Sequence, residues 1–152
     1  MNSSVENLYQ AFSKYRFRPN VSACPHCVTK SDNENLQKKN LKELTAKDLE
    51  KYVFKAVTTW GDEYDFKHFL PRLLELWDEL PMGMVFIKLQ SNHWETWPKH
   101  EKDAIVAYLE SCLESLRRKH SQQPDSTLEY GMSLETIDLE IKIEEISDFL
   151  RL

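Results

Sequence analysis

The chain contains only three glycines and six prolines among its 152 residues. Globular proteins average ~7% glycine and ~5% proline, so turn-forming punctuation is scarce here. Sandwiches need a turn signal every ~8–12 residues, and phosphate-cradling loops need clustered glycines. Neither has the material. Three cysteines are an odd number and do not make the disulfide framework of a small secreted domain. No apolar run approaches the ~18 residues of a membrane helix, and the opening segment lacks the apolar stretch of a signal peptide. The expected compartment is therefore the reducing cytoplasm, with no membrane association.

With hydrophobic residues at 41% and charged ones at 30%, the composition is that of a folded domain and not of an acidic disordered tail. A chain of this size buries roughly 68–70% of its extended surface. A single domain over residues 1–152 is the expectation. The net charge of −5 is unevenly spread: Lys and Arg outnumber Asp and Glu by ten to six in residues 1–60, whereas acids lead by eight to two in residues 121–152. Lys38, Lys39, Lys42, Lys47, Lys51 and Lys55 are interleaved with Glu43, Asp48 and Glu50. That mixture reads as a solvated helix face, not as the basic stripe of a nucleic-acid binder. An acidic C-terminal segment can steer a basic partner.

Helical periodicity fills most of the sequence. Leu49, Tyr52, Val53, Ala56, Val57 and Trp60 share one face of a helix spanning 45–60, with Thr45 and Asp48 as a capping box and Gly61 as the stop. Phe66, Phe69, Leu70, Leu73, Leu74, Trp77 and Leu80 continue the spacing. Pro71 predicts a short turn over 62–70 and a helix starting at, or kinked by, the proline. Pro81 and Gly83 close that element, and a brief helix follows from Met84 to Leu89. Pro98 opens a long helix through His120, with Ile105, Tyr108, Leu109, Cys112, Leu113 and Leu116 buried, before a loop at 121–126. Val5, Leu8, Tyr9 and Phe12 make a short helix ending before Pro19. Ile137, Leu139, Ile141 and Ile143 alternate as in a strand. Extended to Ile146 and Leu150 they also give a helical stripe that Ser133 can cap, and the intervening Glu and Lys residues favour helix. The fold class expected is all-α, an irregular bundle or short repeat-like stack of about six helices.

Cys24-Pro25-His26-Cys27 has a chemical name in three vocabularies. It can be an inert turn, half of a tetrahedral zinc site, or a thiol–disulfide exchange pair. A zinc site needs more ligands; His68 is the candidate third, so the metal set is Cys24, Cys27 and His68. The segment before Cys24 is a poor buried strand, which disfavours a thioredoxin-like enzyme. Asp65, His68, Arg72 and Glu75 lie at helical spacing, where a carboxylate can orient a histidine, or where ordinary surface pairs form. A nucleophilic Cys24–His68–Asp65 arrangement has neither positioning nor an oxyanion hole in the sequence. Trp94 and Trp97 can form an exposed aromatic ledge or fill the core.

Thr58-Thr59-Trp60-Gly61-Asp62 with Asp65-Phe66-Lys67-His68-Phe69-Leu70-Pro71-Arg72 resembles a family of uncharacterised bacterial cytosolic helical proteins. In that family a TWGD-x-x-DFKHFLPR segment follows a Cys-Pro-x-Cys motif and a leucine-rich capped helix. Cys24, Pro25, Cys27, Leu41, Leu44, Leu49 and Tyr52 match the pattern, which covers roughly residues 12–80. Trp94, Trp97, Pro98 and Glu101 echo it more faintly. The resemblance implies an all-helical fold and joint action of Cys24, Cys27 and His68, with no activity attached.

The function expected is non-enzymatic: a cytoplasmic protein–protein interaction or regulatory module that neutralises a basic partner such as a toxin. Asp65, Arg72, Trp94 and Trp97 are its candidate contact residues, and no cofactor is required. The alternative is a zinc-binding protein or metal-dependent enzyme using Cys24, Cys27 and His68.

Overall fold

Three helices begin with the same device. Thr29 and Asp32, Thr45 and Asp48, and Asp62 and Asp65 each form a reciprocal capping box, in which the side chain of one binds the backbone N–H of the other. Each box satisfies two backbone donors that a helix start otherwise leaves open. In each, the second aspartate also meets a cation from another part of the chain. Lys51 reaches Asp32 at 2.6 Å, Lys39 reaches Asp48 at 2.8 Å, and Arg18 reaches Asp65 at 2.9 Å. The caps therefore also tie the elements together.

The structure is a computed structural model that describes residues 3–19, 23–24, 26–122 and 134–151. These residues form an all-α fold with seven helices: α1 Ser3–Ala11, α2 Lys30–Gln37, α3 Ala46–Lys55, α4 Glu63–Glu75, α5 Met84–Ser91, α6 Lys99–Gln122 and α7 Leu134–Arg151. Short 3₁₀ turns lie at Leu41–Glu43, Pro81–Gly83 and Trp94–Thr96. No strand forms among the described residues, only isolated bridges from Trp60 to Ala23 and to Ala56. The chain divides into two compact units, Met1–Lys102 and Asp103–Leu152, the division falling inside α6.

In the first unit α3 packs on α2, α4 and α5, and α1 packs on α4. Leu49, Tyr52 and Val53 of α3, Phe66, Leu70, Leu73 and Leu74 of α4, and Val85 and Leu89 of α5 have no measurable exposure. Burying each such side chain stabilises the fold by about 1.5–3 kcal/mol. The Tyr52 ring sits 4.6 Å from that of Phe69 and 5.3 Å from that of Trp60. In the second unit Ile105 and Leu109 of α6 and Ile146 of α7 are fully buried. His120 near the end of α6 meets Glu140 of α7 at 3.1 Å.

Several boundaries differ from the sequence expectation. Helix α3 stops at Lys55 and not at Trp60. Val57 enters the left-handed region at φ 69°, and Val57 N–H, Thr59 N–H and Trp60 N–H close a tight turn on the carbonyls of Trp60 and Lys55. The buried Lys88 ammonium donates to Ala56 O at 2.9 Å, taking a carbonyl at the helix end. Pro71 lies inside a continuous α4 and starts nothing. A proline in a helix interior removes one N–H and crowds the carbonyl four residues back; here its ring is buried with its neighbours. Helix α4 then ends at Glu75, before Leu80. Helix α6 runs two residues into the expected loop, to Gln122. Cys112 is partly exposed and not a core residue. Residues 134–151 are helical, while Ser133 and the 123–126 part of the loop lie outside the described residues.

Candidate functional site

Cys24 and Cys27 occupy one tight turn. Cys24 O accepts from Cys27 N at 3.0 Å and from Val28 N at 2.9 Å, a helical turn that goes no further. Both its ends are held. Cys24 N–H donates to Thr59 O at 2.8 Å, and the Lys55 ammonium donates to Cys27 O. Trp60 closes one side, its indole N–H donating to Asn33 at 2.8 Å. Both cysteines are free and partly exposed. The neighbouring Cys27 thiol and the His26 backbone N–H lower the Cys24 thiol from its ordinary value, whereas the neighbouring Cys24 and desolvation raise Cys27. One thiol thus holds its charge more readily, and its neighbour holds a proton.

His68 stands in a different setting. Its Nδ1–H donates to Tyr15 O at 2.7 Å, since a carbonyl can only accept. That bond leaves Nε2 as the unprotonated nitrogen. The rings of Phe69 and Phe17 lie 4.8 and 5.7 Å away, and burial pushes the imidazole below its usual value. His68, Phe17 and Leu41 are shared by the walls of two clefts, of about 400 and 260 Å³. The larger also takes Tyr9, Tyr15 and Arg16 into its lining. Among the described residues no three His, Cys, Asp or Glu side chains converge as a metal site, so Cys24, Cys27 and His68 are not assembled into one.

The other singled-out residues are mostly used by the fold itself. Asp65 is buried, bound to the Asp62 backbone and to Arg18. Arg72 donates to Leu44 O at 2.7 Å and to Glu75 at 3.2 Å, while Tyr9 donates to the same Glu75 carboxylate. Trp97 is buried against Phe12 and Phe66, and its indole N–H donates to Glu63 at 3.0 Å. Trp94 is half-buried, so the two tryptophans do not present a common ledge. The face of α4 carrying Asp65 and His68 is covered by residues 15–18 and is not a solvated one.

One surface was not among the sequence candidates. Thr136, Leu139, Ile146 and Phe149 give α7 its buried face. Leu134, Ile137 and Ile141 are exposed by 85, 37 and 53%. A helix turns about 100° per residue, so residues two apart point in nearly opposite directions. The alternation of Ile137, Leu139, Ile141 and Ile143 is therefore a helix with two apolar faces, one buried and one outward. Helix α7 carries six acids, Glu135, Asp138, Glu140, Glu144, Glu145 and Asp148, against only Lys142 and Arg151.

No described helix is long and apolar enough to cross a membrane. No family model, curated protein or solved structure matches the chain.

Proposed function

We propose that this protein is a non-enzymatic interaction module of the cytoplasm that receives a basic, amphipathic helical segment of a partner on the outward face of α7. The observation that carries the reading is the exposed row Leu134, Ile137 and Ile141, opposite the buried face of the same helix. Monomeric proteins rarely leave contiguous apolar surface open without a use. The residues at i, i+3 and i+7 match the way one helix anchors another. Six carboxylates on α7 supply the charge that a basic segment complements, and they oppose pairing with a second copy of the same acidic face.

The test is titration with a synthetic Leu/Lys amphipathic helical peptide. Binding in the micromolar range that weakens between about 50 and 200 mM salt is expected. Ile137→Lys with Ile141→Lys should lower affinity by at least about tenfold, while Glu34→Lys, an exposed charge change on α2, should leave it unchanged. Equal binding by all three proteins would sink the proposal. So would concentration-dependent dimerisation that the α7 substitutions abolish, since the face would then belong to a second copy.

A further inference from the structure

We infer that Cys24 and Cys27 form a reversible dithiol–disulfide couple that exchanges with small anionic disulfides of the glutathione type. The placement carries this. A hydrogen-bonded turn brings residues three apart to within ~7 Å between Cα atoms, and a disulfide spans ~4.4–6.8 Å. The backbone bond from Cys27 N to Cys24 O closes such a turn here. Thr59 O and the Lys55 ammonium hold the two ends of the turn, so closing the bond requires rotation of side chains and little else. Both sulfurs are partly exposed, which a disulfide partner requires. Lys55, bonded to Cys27 O, sets a positive charge beside the pair, which favours an anionic disulfide over a neutral one.

The roles follow from the difference between the two thiols. The Cys27 thiol and the His26 N–H beside Cys24 lower it while Cys27 is raised, so Cys24 is the attacking sulfur. Its thiolate attacks one sulfur of oxidised glutathione. The glutathione S–S bond breaks, and the departing thiolate takes up the proton that Cys24 released. Cys27 then loses its proton and attacks the Cys24 sulfur of the mixed disulfide. The second glutathione leaves and is protonated in turn. The protein has gone from two thiols to one disulfide, and one glutathione disulfide has become two thiols. Cys112 lies on α6 and takes no part.

The experiment uses the full chain carrying Cys112→Ser, equilibrated in glutathione buffers of increasing oxidation, quenched in acid and alkylated for mass spectrometry. The expected result is a cooperative loss of both alkylation sites in the monomer, with no glutathione retained. Cys27→Ser is expected to retain one glutathione, and Cys24→Ser to react at least about tenfold more slowly. Lys55→Met should reduce the preference for oxidised glutathione over the neutral hydroxyethyl disulfide. Three results would overturn the inference: a dithiol that persists in excess oxidised glutathione, equal rates for the two serine variants, or reactivity that emerges only after a chelator removes zinc.

Discussion

Lys67 and Glu101 meet at 2.8 Å with side-chain exposures of 7 and 0%. They join α4 to the first turn of α6 within the first compact unit. Removing two charges from water costs several kcal/mol per ion unless every remaining contact is favourable. The surroundings meet that condition at Glu101 Oε2, while Oε1 has only the ion pair. Tyr15 donates to Glu101 Oε2 at 2.5 Å, and the Lys67 ammonium stands 4.2 Å from the Trp97 ring centre and 5.0 Å from that of Tyr15.

Breaking the pair from one side leaves a buried charge without its nearest partner, although Lys14 stands 3.6 Å from Glu101 and the Tyr15 hydroxyl remains beside both. Lys67→Met or Glu101→Leu is therefore expected to lower stability by about 3–5 kcal/mol. The double variant Lys67→Met/Glu101→Leu should recover a large part of that loss. Urea unfolding of all four proteins gives the coupling energy directly. Additive single losses would mean the two side chains do not act as a pair.

His68 gives the fold an acid-sensitive element. Burial holds its imidazole below the ordinary 6.5, so the unfolded chain takes up this proton first as the pH falls. The contribution to stability is full above that value and declines below it, until the folded imidazole also protonates. His68→Gln keeps an N–H donor for Tyr15 O but cannot titrate. Between neutrality and about pH 5, the variant's melting temperature is expected to fall less steeply than that of the natural protein. Parallel slopes would remove His68 from the account.

The turn after α3 holds a β-branched residue where glycine is favoured. Val57 at φ 69° incurs about 1–2 kcal/mol from its Cβ. Val57→Gly relieves that cost and gives part of it back through the freer unfolded chain. A net gain of about 1 kcal/mol, or roughly 2–4 °C in melting temperature, is expected from calorimetry. A loss of stability would show that the Val57 side chain is worth more in packing than its backbone costs.

Periodicity made the core faces of α3, α4 and α6 legible before any coordinates, because Leu49, Tyr52, Val53, Phe66, Leu70, Ile105 and Leu109 recur at helical spacing and are buried. It failed where long-range contacts decide. The apolar spacing of α3 continues through Val57 and Trp60, yet a lysine 32 residues away ends the helix by taking Ala56 O. Helix α2 buries only Leu36, so it has no stripe to find; its Thr29-x-x-Asp32 box was the available signal. That Cys24 and Cys27 share one turn was readable from spacing. Separation of His68 from them was not, since the segment that holds it, Tyr15 to Arg18, follows no pattern.

The two-faced construction of α7 bears on how this region tolerates change. A saturation scan from Leu134 to Ile146 would score tolerance in the three-four rhythm of a helix, damaging at Thr136, Leu139 and Ile146 and permissive at Ile137 and Ile141 whenever folding alone is selected. Only a screen that also demands partner binding would turn those permissive positions intolerant. The contrast between the two screens would separate what the helix does for folding from what the proposed partner requires of it.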